Sequence, residues 1–122
     1  MKNVAAFLNS MGGHLILGVG DNGEVLGLDK DFDSLTRKDQ DGFENHFTQV
    51  FNSVIGSALR RFIRVKFYNL NDKLVCILTV QPSNSPVYLK FDNTESFYIR
   101  TGNSTTALNL SSINEYIKSR WK

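Results

Sequence analysis

From residue 60 onward, turn-forming residues cut the chain into short apolar runs, and this punctuation restricts it to a fold built from hairpins. Ile63, Val65 and Phe67 alternate with Arg64, Lys66 and Tyr68, which predicts a strand buried on one face. Residues 69–73 read as a turn. Residues 74–80 are apolar on both faces and predict a central strand. Pro82 and Pro86 bracket a loop, and residues 87–91 and 96–100 predict a hairpin around Asp92-Asn93-Thr94. Upstream, residues 14–19 are again apolar on both faces and predict a second central strand. Asp21-Asn22-Gly23 then turns the chain into a return strand at 24–28.

Helical repeats are few. Val4, Ala5, Phe7 and Leu8 predict a helix over 2–10, stopped by Gly12-Gly13. Residues 41–59 carry the longest helical pattern, a stripe of Phe43, Phe47, Val50, Phe51, Val54, Ile55, Ala58 and Leu59, weakened near its end by Gly56. Residues 29–37 are polar and read as loop. A final helix is expected from about Ser112, with Ser112-x-x-Glu115 as a capping box and Ile113, Tyr116, Ile117 and Trp121 as its apolar stripe. The order α-β-β-α-β-β-β-β-α predicts an α+β fold, a mostly antiparallel sheet built from hairpins with about three helices. At 122 residues the chain makes one domain, with no linker, repeat or low-complexity stretch.

The glycines of "HLILGVGDNGEV" test a tempting alternative. Gly18-x-Gly20-x-x-Gly23 follows an apolar strand, as in dinucleotide-binding folds. That motif needs a helix starting at its third glycine, because the helix N-terminus holds the pyrophosphate. Here Glu24-Val25-Leu26-Gly27-Leu28 follows, a strand-like run, so the glycines are expected to serve close backbone approach and a turn. No Gly-Lys-Ser/Thr is present to make a P-loop. Asp29-x-Asp31-x-Asp33 opens like a calcium loop, but the sixth position is Ser34 and the twelfth Gln40, where glycine and glutamate are needed. No metal or cofactor is implied. Cys76 is the sole cysteine, which rules out an internal disulfide. No apolar run reaches the ~20 residues of a membrane span, and no signal segment opens the chain, so a cytoplasmic protein that does not bind membranes is expected.

Taken together, "AAFLNSMGGHLILGVGDNGEVLGL", "DGFENHFTQVF", "VYLK" and "FYIRTGNST" resemble the Schlafen-type, Alba-like DNA-binding domain family, formerly labelled a divergent AAA ATPase domain. The first signature of that family maps onto Ala6, Phe7, Asn9, Gly12, Gly13, Gly18, Val19, Gly23 and Gly27. The last, Tyr-x-Arg-x-Gly-x-x-Thr, maps onto Tyr98, Arg100, Gly102 and Thr105. The resemblance implies an Alba-like, Schlafen-core fold and a DNA-binding domain of a larger bacterial protein, a transcription regulator or helicase-related. In Schlafen relatives the fold can carry a metal-dependent endoribonuclease site built from acidic residues, two on a strand before the first helix and one just before Gly-Gly. This sequence begins inside that helix and has Met11 before Gly12-Gly13, leaving Asp21 and Glu24 as remaining acids. A non-catalytic nucleic-acid-binding domain is therefore the leading expectation. The absent strand would leave a sheet edge open for homodimerisation, an alternative role as an interaction module.

Two groups of residues are the candidates for contact with DNA or RNA. Arg100, Asn103, Ser104 and Thr105 combine a cation with short donors beside Gly102, a set suited to phosphate oxygens. The structural alternative is a polar loop in which Arg100 pairs with Glu95 or another acid. Arg60, Arg61, Arg64 and Lys66 form the densest basic cluster, with Tyr68 on the same strand able to stack a base. Edge-strand solubility accounts for such charges equally well. The net charge of +2 permits such a role without demanding it. Asn9 is expected to bond backbone, His14 to be structural, and Cys76 to be an inert core thiol.

Overall fold

The structure, a computed structural model, describes residues 1–20, 22–33, 35 and 37–121, without the side chain of Lys30. Its centre is a three-stranded antiparallel sheet in the order β1 (Gly13–Leu17), β3 (Lys73–Val80), β2 (Ile63–Leu70). Strand β3 is central, as its apolar residues on both faces predict. Strand β1 is an edge: it pairs only with β3 among the described residues, and Ile16 on its outer face is 50% exposed. The expectation of a second central strand is thus corrected. Leu15 and Leu17 satisfy the core alone, and the outer face of β1 is left open.

The inner sheet face packs on two helices, α1 (Lys2–Asn9) and α3 (Gln40–Val54). Leu78, Cys76, Val80 and Ile63 meet Val4, Ala5 and Leu8 of α1 and Phe47, Phe51 and Val54 of α3 in one buried cluster. Asp39 caps α3, accepting the Gly42 N–H at 2.8 Å. That backbone bond, helped by Arg37, holds the Asp39 carboxyl below the usual carboxylate range. The helix ends before the expected residue 59, because Gly56 adopts φ +130° and both the Ile55 and Gly56 N–H groups close onto the Phe51 carbonyl. The remaining turn, Ser57–Phe62, is a 3-10 helix.

Cys76 is fully buried in this core, and burial, reinforced by the Glu44 charge, pushes its thiol up to about 11. The native chain should resist a thiol reagent at neutral pH and react fully in denaturant. Stoichiometric labelling of the native chain within seconds would overturn this packing.

Three further expectations change. The return strand at 24–28 shrinks to one bridge, Val19–Val25, because Gly18 and Gly27 both take positive φ and the Gly18 carbonyl accepts the Leu26 and Gly27 N–H groups. No helix starts at Gly23, so no pyrophosphate site forms there. Asp21 lies outside the described residues. Asp29–Asp33, read as loop, is a short helix, α2; Ser34 and Thr36 lie outside the description. Finally, Asp92 and Asn93 both take left-handed φ in a two-residue turn, which pairs β4 (Leu89–Phe91) with β5 (Thr94–Ser96) rather than with 96–100. Residues 98–101, most of them in the strand expected at 96–100, are freed for a second hairpin, β6 (Tyr98–Thr101) with β7 (Ser104–Ala107), the latter from a run that reads as loop.

The last helix, α4 (Leu110–Arg120), starts two residues earlier than expected. Its cap is Asn109, which accepts the Ser112 N–H at 3.0 Å, so the Ser112–Glu115 capping box is not formed. The α+β class stands, with the short α2 and the 3-10 turn added to the three expected helices.

Candidate nucleic-acid interface

Adjacent residues on a helix point about 100° apart, so α1, with Val4, Ala5, Ala6, Leu8 and Asn9 all buried, must be covered on more than one side. The sheet covers one side and the β6–β7 hairpin another. Asn9 makes the join. Its Nδ2 donates to the carbonyls of Val87 and Tyr98, both at 2.9 Å, and its Oδ1 accepts the Val87 N–H at 2.8 Å. Ser10 Oγ accepts the Arg100 N–H at 2.9 Å. From α4, Tyr116 Oη donates to the Asn9 carbonyl, and Arg120 donates to the carbonyls of Ser10 and Ser83 at 2.9 and 3.1 Å. The C-terminal carbonyls of α1, which have no partner within the helix, are satisfied this way.

This packing explains the glycine pair. Gly12 takes φ +75°, and a Cβ there would lie 2.4 Å from the Val80 carbonyl oxygen. A Cβ on Gly13 would lie 2.5 Å from the Phe7 ring. The glycines bring β1 and the Phe7 ring into contact.

Phe7 in turn carries Arg100. The guanidinium sits 4.8 Å from the Phe7 ring centre, and Nη1 donates to Thr105 Oγ1 at 2.9 Å. Thr105 donates to Asn3 Oδ1 on α1. Arg100 and Thr105 are cross-strand partners, so the Tyr-x-Arg-x-Gly-x-x-Thr spacing is that of a hairpin whose turn contains Gly102 at φ +65°. Lys2 lies 5.8 Å from the Tyr98 ring on the same strip. Asn103 and Ser104 are exposed at the hairpin tip. The ion pairs among the described residues join Arg37 to Asp39 and Asp41, and Arg60 to Glu44. Glu95 is not a partner of Arg100, whose Nε and Nη2 make no hydrogen bond among the described residues.

The basic cluster is divided. Arg60 faces α3: its nitrogens donate to the Ile63 carbonyl at 2.7 Å, Thr48 at 3.1 Å and Glu44 at 3.2 Å, and it lies over the Phe47 ring. It fastens the 3-10 turn to α3. Arg61 is exposed but stacks on Phe62 and donates to the Ala58 carbonyl. Arg64 and Lys66 are exposed on the outer face of β2, away from α1. Arg100 and the Arg64–Lys66 pair therefore belong to different sides of the core, and the structure does not merge them into one site.

Of the acids weighed for metal chemistry, Glu24 is exposed in a turn, and Met11 at the position before Gly12 is 91% exposed. Among the described residues no three His, Cys, Asp or Glu side chains converge to hold a metal. His14 bonds Thr79 across the sheet at 3.1 Å.

A family model described as Schlafen, AlbA_2 matches residues 1–109. The chain belongs to the Schlafen AlbA_2 family. Both signatures fall inside the matched AlbA_2 segment, and α4 lies beyond it. The AlbA_2 fold is also that of the DIP2311 protein from Corynebacterium diphtheriae, whose crystal structure aligns with a TM-score of 0.64 and 21% identity over 99% of this chain. The chain spans 22% of the length of that protein. No curated protein matches the sequence. No helix among the described residues is long and apolar enough to cross a membrane.

Sequence reasoning missed the partners of Arg100. Phe7 and Ser10, and Asn3 behind Thr105, lie at the other end of the chain, and no local signal ties them to it. Tyr98 and Thr105 were within reach, since strand alternation and a turn at Gly102 place both on the Arg100 face.

Proposed function

We propose that this AlbA_2 domain is a non-catalytic nucleic-acid-binding module, a DNA- or RNA-binding part of a regulatory or helicase-related protein. Arg100 carries the reading. Its guanidinium is oriented by Phe7 and Thr105, neither of which neutralises it, and among the described residues no carboxylate pairs with it. A held, uncompensated guanidinium beside exposed Asn103 and Ser104 is suited to phosphate oxygens. Arg64 and Lys66 supply a second cationic surface. Arg60 is withdrawn from the proposal, because its donors are used within the fold, and Arg61 contributes charge alone.

The test is fluorescence anisotropy with labelled DNA and RNA at low and physiological salt. Binding should weaken steeply as salt rises. Arg100→Ala should weaken binding uniformly across sequences and reduce the log–log salt slope by about 0.7–0.9, one phosphate's worth. Its melting temperature should stay within a few degrees of the parent, since the bonds lost are partly exposed. No binding to any probe at low salt would overturn the proposal. In that event the free edge of β1 favours a second reading, a dimerisation module, which concentration-dependent light scattering would reveal.

A further inference from the structure

We infer that the outer face of the β1–β3–β2 sheet, the one opposite α1 and α3, is a platform for single-stranded nucleic acid; this rests on the proposed function and names the class of strand bound. Side chains alternate faces along a strand, so Arg64, Lys66 and Tyr68 project together from the face opposite α1 and α3, and all three are exposed. The register sets Lys66 beside Ile77, and Ile77 beside Ile16, at the middle of this face. None of the residues in the three strands is Asp or Glu, so the strands themselves carry positive charge alone; beside Tyr68 the face is partly covered, where Gly18 and Gly27 lie against Val75, 3% exposed, and Lys73. Arg64 and Lys66 have no hydrogen-bond or ion-pair partner among the described residues. Ile16 is 50% and Tyr68 46% exposed.

A single strand needs cations at intervals for its phosphates and flat apolar surface for its bases. Residues two apart on a strand are about 6.7 Å apart, so Arg64 and Lys66 form a short row of charges that Tyr68 continues as a stacking surface. Three strands are about 10 Å across, enough to seat one extended chain with its bases against Tyr68, Ile16 and Ile77. A duplex keeps the faces of its bases stacked inside, so Tyr68 has no base to stack on. Charges on the edge strand β2 also discourage strand addition, but that role does not call for an exposed tyrosine and isoleucine on the same face. A second copy of this chain is a poor occupant, because a two-fold contact through the face would bring its cations together with no acid to neutralise them.

The whole chain is titrated with a labelled oligonucleotide, single-stranded and as its duplex, at equal salt. Single strands should bind about tenfold tighter or more. Arg64→Ala with Lys66→Ala should cut single-strand affinity at least about tenfold and lower the salt slope by about 1.4. Tyr68→Leu should cost about tenfold while Tyr68→Phe keeps full affinity, since the ring and not the hydroxyl stacks. Thermal melts establish that each variant is folded. Equal affinity for duplex, or parental affinity in folded Tyr68→Leu, overturns the inference. Displacement of the oligonucleotide by poly-glutamate at equal charge concentration overturns it too, in favour of an acidic protein partner. Binding that only Arg100→Ala weakens would keep the proposed function while sinking this inference; silence from every probe would sink both.

Discussion

Asn9→Leu is expected to lower the thermal midpoint by about 15 °C, equivalent to about 4 kcal/mol for a domain of this size. Leucine has the same branched heavy-atom skeleton as asparagine with bulkier ends, so no cavity opens. What is lost is every polar contact of the side chain: two donated bonds to Val87 and Tyr98 carbonyls and one accepted from the Val87 N–H. Asn9 is 0% exposed, so water cannot replace them without opening the fold. Each stranded buried group costs about 1–3 kcal/mol. Against a total stability of about 5–15 kcal/mol, that is a large fraction. Asn9→Asp separates polarity from volume. Its carboxylate keeps the Val87 N–H but faces two carbonyl oxygens with no proton to give. It should be at least as unstable at neutral pH and recover partly on acidification, when the protonated acid regains one donor. Midpoints within about 3 °C of the parent for Asn9→Leu would show that the α1 junction does not hold the hairpins in place.

Gly12→Ala is expected to cost about 3 kcal/mol or more, because it meets two penalties at once. The left-handed φ of +75° disfavours any Cβ by about 1–2 kcal/mol. The new methyl also lies 2.4 Å from the Val80 carbonyl oxygen, a backbone atom of the central strand that cannot swing aside. Gly102→Ala supplies the control. It has a similar φ of +65° but open space around its Cβ, so it should cost only about 1 kcal/mol. Chemical denaturation of the two variants measures the difference. Equal costs would mean that β1 and β3 shift to admit the methyl, and that Gly12 is required for conformation alone.

These two residues show what was legible. The sequence marks Asn9 and Gly12-Gly13 as special through the family signature and through the helix stop. It does not say that Asn9 reaches 78 and 89 residues along the chain. The candidate site divides in the same way. Arg100 was identified from its own neighbours, but Phe7 beneath it was not. Arg60 and Arg64 look equivalent in a basic run, yet the 3-10 turn directs one into α3 and β2 leaves the other in solvent. No periodicity in the sequence signals a 3-10 turn at that point.

By itself, the sequence determined the elements whose causes are local. Alternation made β2 half-buried, a two-faced apolar run made β3 central, the phenylalanine stripe made α3, and paired turn residues closed the hairpins at Asn71-Asp72 and Asp92-Asn93. Tertiary structure decided what depends on packing between distant segments. It placed β1 at an edge, although its apolar pattern is that of a centre. It formed a second hairpin from the polar run after Arg100, whose strands hold together through cross-strand bonds and contact with α1 rather than through an apolar face. And it separated the cations into one that fastens the core and others left uncompensated at the surface, because which carboxylate or ring a long side chain meets is set by the fold.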